Sequence, residues 1–340
     1  MDKVSDEKRF DTAVSIIGSE LKRLLILLPS YIKTQTYEIR LRSGRPVILH
    51  GKYGKLFLLS SGSTGVSTDG NYICTPEMLT DTFNRLCCYS VHSHLGSIIN
   101  GYITIQGGHR AGIVGTAVTN TSGEITSVRE ISGINIRVSR EVKGCSDDII
   151  ENLFSNEAIS CIIAGPPASG KTTVLRDLIR QLSSDVYGKS YKVSIIDERQ
   201  ELACMNGAIA QNDIGINSDV LSCYPKKQAI MTAIKTMSPD IIAVDEVGEN
   251  DEIEAIRHGV NSGVKFIVTI HACDYKEIIC RPQIEQLINT YSFDKLILLD
   301  SGENIGKVKA VYDTKELRDE IVGRRFSMDK SDFSWSGICS

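Results

Sequence analysis

The sequence predicts an α/β chain of two domains, and three observations predict it. A short apolar run, Ile159 to Ala164, leads into Gly165-Pro166-Pro167-Ala168-Ser169-Gly170-Lys171-Thr172 and then into Thr173 to Leu182, where apolar residues fall at helical spacing. Three further strand-like runs, Tyr191 to Ile196, Ile241 to Val244 and Lys265 to Val268, each end in polar residues, as strands of an open parallel sheet do where a ligand binds. The roughly 140 residues ahead mix alternating strands with helical patterns, an α+β unit of ordinary domain size. With 340 residues, 41% of them apolar and 24% charged, the chain can fill two cores.

The turn after Ala164 is a complete G-x-x-x-x-G-K-[ST] loop placed between a strand and a helix, the context in which it cradles phosphate. Gly165 and Gly170 let successive backbone N–H groups face one anion, and the helix start adds its positive dipole end. Lys171 is expected to reach the β- and γ-phosphates and Thr172 to ligate Mg²⁺. The expected nucleotide contacts are Gly165, Pro166, Pro167, Ala168, Ser169, Gly170, Lys171, Thr172 and Thr173. A chance glycine-rich turn is the weaker reading, because Gly, Gly, Lys and Thr must coincide with the switch from strand to helix.

A net charge of −4 offers no global attraction to nucleic acid or anionic lipid. Ten cysteines contain no C-x-x-C pair, which reads as free thiols in a reducing compartment. His92 and His94 could share one face of a strand, but no ligand at metal spacing accompanies them. The charged start, Met1 to Phe10, does not read as a secretory signal. The apolar run Leu24 to Leu28 is far too short to span a bilayer.

From the N-terminus, Phe10, Val14, Ile17, Leu21, Leu24 and Leu28 predict one amphipathic helix over residues 6–28, closed by Pro29. Tyr37 to Leu49 alternates as a strand, with Ile39 and Leu41 inward, then turns at Ser43-Gly44. Thr75-Pro76-Glu77 is a helix start. Gly101 to Val118 reads as two strands around Gly107-Gly108, Ile134 to Val138 as another, and Ser139 to Asp148 as a linker. Arg40, Arg42, Arg45, Arg110, Arg129, Arg137 and Arg140 form either solvated strand faces or a surface for phosphate or carboxylate, with Gly107-Gly108-His109-Arg110 the best turn for close approach. Downstream, Leu296 to Asp300 and Lys307 to Tyr312 suggest a hairpin, and the polar residues 324–340, with the single Trp335, read as a tail or a partner peptide.

Val244-Asp245-Glu246 reads as the second half of a nucleotide site, with Asp245 on the Mg²⁺ side and Glu246 polarising the attacking water. Asp197-Glu198-Arg199 could add acidic groups near the metal and an arginine near the γ-phosphate, and His271 could report on that phosphate. Basic groups from outside the core are also expected, Arg110 first among them, because a developing phosphoryl transition state commonly takes an arginine.

The order of the P-loop, Asp197-Glu198-Arg199, Asp245-Glu246 and Thr269-Ile270-His271-Ala272 resembles the Walker A, Asp, Walker B and His boxes of secretion ATPases. Together with Glu38-Ile39-Arg40-Leu41-Arg42, Gly107-Gly108-His109-Arg110 and Ser238-Pro239-Asp240, it is similar to the stage III sporulation protein AA family, from about Tyr37 to the hairpin after Leu296. The resemblance implies an ATPase of the mother-cell cytoplasm that uses ATP and Mg²⁺, self-associates as a hexamer and energises a channel to the forespore, docked on membrane-embedded channel proteins. It implies a RecA-like P-loop core over residues 144–320, an N-terminal α+β domain over 1–143 and a tail over 321–340. The expected catalytic set is Glu246, Lys171, Glu198, Arg199 and His271, with Thr172 and Asp245 on Mg²⁺. Asn217 and Lys235 stand where relatives often carry arginine, which leaves the arginine finger open. Two other readings remain: a P-loop ATPase gripping single-stranded nucleic acid, disfavoured by few aromatic residues, and a nucleotide-gated scaffold with little turnover.

Overall fold

A computed structural model describes residues 3–331 other than 68, 100, 186 and 187. They fall into two compact units: residues up to Glu141 together with Cys204–Asn212, and Val142–Ala203 together with the chain from Asp213 onward.

The second unit is built on a seven-stranded sheet in the order Ser218–Ser222, Val193–Asp197, Ile241–Val244, Lys265–His271, Cys161–Gly165, Lys295–Leu299 and Val308–Asp313. The first six run parallel and the last is antiparallel. Cys161–Gly165, Val193–Asp197 and Ile241–Val244 are buried at every position. A strand covered on both faces has no polar side to show, so the sequence reads there as a continuous apolar run. Gly165 pairs with His271, Ile196 with Val244, and Val244 with Val268. This register brings the carboxyl ends of four strands to one edge, where ligands of such sheets bind. The strand expected to stop near Val268 continues to His271. The expected hairpin is present as Lys295–Leu299 against Val308–Asp313. A helix, Thr314–Ser331, follows and buries Leu317 and Ile321, so the described part of the expected tail is helical. Trp335, with the rest of 332–340, lies outside the described residues.

The first unit holds an antiparallel sheet in the order Thr64–Gly65, Gly54–Leu58, Ile48–Gly51, Thr36–Arg42, Ile125–Arg137, His109–Thr119 and Tyr102–Ile105. Ile39 and Leu41 face its core as their alternation requires. The helix Pro76–Leu86 starts as expected, with the Thr75 hydroxyl accepting the Met78 N–H at 3.3 Å.

Two expectations fail here. The single helix over 6–28 is instead Lys3–Ala13, a 3-10 turn Val14–Ile16, and Ser19–Ile26. The break comes at Ile17 and Gly18, whose backbones are extended. Gly18 sits so close to Asp81 that a Cβ would lie 2.7 Å from its carboxylate. Phe10, Val14, Ile17 and Leu21 are buried all the same, so the apolar spacing carried across the break and concealed it. His92 and His94 lie in a 3-10 turn, Val91–His94, and share no strand. Among the described residues no group of three His, Cys, Asp or Glu could hold a metal.

The Gly107-Gly108-His109-Arg110 turn does allow close approach, but the protein's own chain takes the space. Gly107 N–H donates to Gln211 Oε1 at 2.7 Å, and a Cβ on Gly108 would meet Asn212 and Cys204 at 3.2 and 3.3 Å. His109 is buried, accepts the Ser139 N–H at Nδ1, and is pushed down to a pKa of about 4, first by burial and then by Arg9 and Arg140. Arg110 stacks over Tyr102, and Arg140 donates to the Lys33 and Thr36 carbonyls.

Candidate nucleotide-binding site

The loop after Cys161–Gly165 closes through two left-handed residues, Ala168 at φ +59° and Gly170 at φ +88°. Gly170 is held against a second segment: Gly306 N–H donates to the Ser169 carbonyl at 2.9 Å, and a Cβ on Gly170 would lie 3.3 Å from Gly306. A Cβ there would press tightly on the Gly306 backbone, a second reason for glycine besides its freedom of φ. The Ser169 hydroxyl is buried without a hydrogen-bond partner in the described structure. Lys171 opens the helix Lys171–Leu182. Its Nζ donates to Gly165 O at 2.9 Å and Pro166 O at 2.8 Å, and lies 3.2 Å from His271 Nδ1. Burial lowers its pKa, opposed by Glu246 and Asp245.

Thr172 and Asp245, 73 positions apart, meet directly: the hydroxyl donates to Asp245 Oδ2 at 2.7 Å. Thr269 donates to the other carboxylate oxygen at 2.5 Å and accepts the Glu246 N–H at 2.7 Å. Desolvation pushes the Asp245 pKa up despite both hydroxyl bonds. A desolvated carboxylate fixed beside a P-loop threonine is a donor set that a divalent cation would relieve, so the residues fit Mg²⁺. Glu246, at φ +54°, pairs with Arg199 and lies 3.4 Å from His271 Nε2. His271 therefore sits between Lys171 and Glu246. These groups line a cleft of about 620 Å³ that includes Pro167 to Thr173, Glu201, Glu246, His271 and Ile305.

A model of the family Sporulation stage III, protein AA, matches residues 7–318. The chain belongs to that family. Stage III sporulation protein AA of Bacillus subtilis (strain 168) is 32% identical over 303 residues, covering 88% of this chain and 93% of that protein. Two solved structures are similar over most of the chain. The pilus retraction motor PilT with bound ADP has a TM-score of 0.56 at 17% identity, covering 87% of this chain and 86% of that one. The ATPase DotB of Legionella pneumophila has a TM-score of 0.53 at 16% identity, covering 85% and 80%. Identities this low show the fold, and it is the expected RecA-like α/β fold of secretion ATPases.

In this sporulation stage III protein AA family member the Asp197-Glu198-Arg199 triplet divides three ways. Asp197, expected near the metal, is buried and accepts the N–H groups of Glu201, Leu202 and Ala203 at 2.8, 3.0 and 2.9 Å. It shapes the loop, because its acceptors are filled by backbone. Glu198 turns to Lys226 at 3.5 Å, and only Arg199 reaches Glu246. Asn217 donates to Ser190, and Lys235 is exposed in the last turn of Lys226–Thr236. Sequence reasoning missed Lys226, whose Nζ donates to the Glu246 carbonyl at 2.7 Å, Glu252, which caps the turn after Glu246, and Arg176, which holds the Glu201 and Leu202 carbonyls. The readable signal was weak: Lys226 follows a proline at a helix start, and no motif marks it.

Proposed function

We propose that this chain is an ATP-hydrolysing motor or assembly factor that energises a secretion-like channel between mother cell and forespore. The observation that carries the reading is the Thr172–Asp245–Thr269 chain of hydrogen bonds, with Glu246 pinned at its end beside Lys171 and His271.

In this reading residues 165–173 hold the phosphates, with Lys171 on the β- and γ-oxygens. Thr172 and Asp245 would hold Mg²⁺, which neutralises phosphate charge when bound. Glu246 orients the attacking water and accepts its proton. Arg199 sets the direction of that carboxylate and adds positive charge, while His271 links the Lys171 end of the cleft to Glu246. Glu198 contributes through Lys226 rather than by touching nucleotide. Among the described residues no helix is long and apolar enough to cross a membrane. In the proposal, membrane-embedded channel proteins of the sporulation apparatus are partners of a hexamer acting from the mother-cell cytoplasm, as the family resemblance implies.

The test separates binding from turnover. Lys171→Ala, which removes the charge facing the phosphates, is expected to abolish ATP binding, whereas Glu246→Gln keeps binding and loses single-turnover hydrolysis. Equal loss of affinity in both variants would contradict this division of roles. A wild-type chain that binds Mg-ATP without single-turnover hydrolysis would point to the scaffold reading.

A further inference from the structure

Beside the nucleotide cleft, and sharing Glu246 with it, lies a smaller cleft of about 300 Å³ lined in part by Glu198, Arg199, Lys226, Glu246, Glu249 and Glu252. Lys226 is the first residue of the helix Lys226–Thr236 and is 8% exposed. A lysine this buried ordinarily threads its ammonium out to water. Here Nζ stays inside, donating to the Glu246 carbonyl at 2.7 Å, with Glu252 Oε1 at 3.2 Å and Glu198 Oε2 at 3.5 Å. The other oxygen of Glu252 accepts the N–H groups of Gly248 and Glu249 at 2.9 and 3.2 Å. One carboxylate thus ties the lysine to the turn that follows Glu246.

Glu246 needs such a frame. Its φ of +54° is left-handed, a conformation that L side chains avoid and that persists where surrounding contacts over-determine it. Two contacts do so on either side of the residue: Thr269 Oγ1 takes its N–H and Lys226 Nζ holds its C=O. Turning the peptide out of the left-handed region would break both and swing the carboxylate away from His271.

We propose that Lys226 is a positioning residue for hydrolysis: by holding the Glu246 carbonyl it keeps that residue in its left-handed turn, with the carboxylate directed into the nucleotide cleft. Glu252 and Glu198 hold the ammonium where this requires it. The inference rests on the ATPase reading and deepens it. It is distinct from a purely structural role because the lysine's shortest contact is to the backbone of the residue assigned to activate water.

The experiment uses the full chain with Mg-ATP, measuring single-turnover hydrolysis and titrating a fluorescent ATP analogue. Lys226→Ala is expected to slow hydrolysis about tenfold or more while leaving nucleotide Kd within about twofold, the pattern of a group that acts on turnover rather than binding. The neighbouring cleft can admit a small cation, so ethylammonium is expected to restore part of the rate to Lys226→Ala. It should restore none to Lys226→Met, whose stem fills that space. Wild-type turnover in Lys226→Ala overturns the inference, as does a loss of rate matched by an equal loss of affinity. If Lys226→Ala does not fold, Lys226→Arg is expected to hydrolyse faster than Lys226→Met, and equal rates overturn it. A wild-type chain with no hydrolysis overturns the ATPase reading and this inference together, whereas an active wild type with an unaffected Lys226→Ala overturns this inference alone.

Discussion

Replacing Thr269 with valine tests the hydrogen-bond chain at the centre of the site. The two side chains are nearly the same shape, so the change removes one hydroxyl and little packing. That hydroxyl donates to Asp245 at 2.5 Å and accepts from the Glu246 N–H at 2.7 Å, in a residue with no exposed surface. A hydrogen bond to a charged group contributes roughly 1.5–3 kcal/mol and a neutral one about 1 kcal/mol, so Thr269→Val is expected to cost about 2.5–4 kcal/mol of stability. Urea unfolding followed by circular dichroism measures the cost, and Thr269→Ser, which keeps the hydroxyl, should recover most of it. The same change removes the bond that most opposes the rise in the Asp245 pKa. For a carboxylate with a raised native pKa, the group's contribution to stability is present below its ordinary value and is lost as pH rises through the native value. The deficit of Thr269→Val should therefore be smaller in acid than at neutral pH, and Mg-ATP should recover part of it at neutral pH. A deficit under about 1 kcal/mol, with the Mg²⁺ dependence of turnover unchanged, would refute the coupling of these three residues.

Three further expectations follow from particular contacts. His271→Ala should bind ATP nearly normally but lose the dependence of assembly on nucleotide, and unchanged ATP-dependent assembly in light scattering would make His271 structural. His109 has its pKa pushed down to about 4 from an ordinary 6.5, so its contribution is present above pH 6.5 and lost as pH falls toward 4. The first unit should lose about 3 kcal/mol across that window, and His109→Gln should flatten the profile when unfolding is followed at several pH values. Arg110→Ala mixed with Glu246→Gln should recover turnover if Arg110 serves a neighbouring subunit's site, and normal hydrolysis by Arg110→Ala alone removes it from the chemistry.

The helix start at Thr75-Pro76 was legible because a cap acts within four residues. The strands of the core were legible because burial on both faces leaves a continuous apolar run. Residues 6–28 misled for a related reason. Apolar spacing records which side chains are buried, and Phe10, Val14, Ile17 and Leu21 remain buried on either side of a backbone that bends at Gly18. Asp197 misled because a carboxylate in sequence does not reveal whether its acceptors face a ligand or the backbone amides of Glu201 to Ala203.

The sequence by itself determined the candidate phosphate loop, the acidic pair at Asp245-Glu246, the parallel α/β core and the sporulation family, since each is carried by residue types at short, fixed spacing. Only the tertiary structure decided which distant groups meet. Thr172 touches Asp245, Lys226 holds the Glu246 carbonyl, and Glu198 and Arg199 part to different partners. The physical reason is that strand register and helix placement bring together residues 20 to 100 positions apart, and a hydrogen bond depends on a few tenths of an ångström that no spacing in the chain encodes.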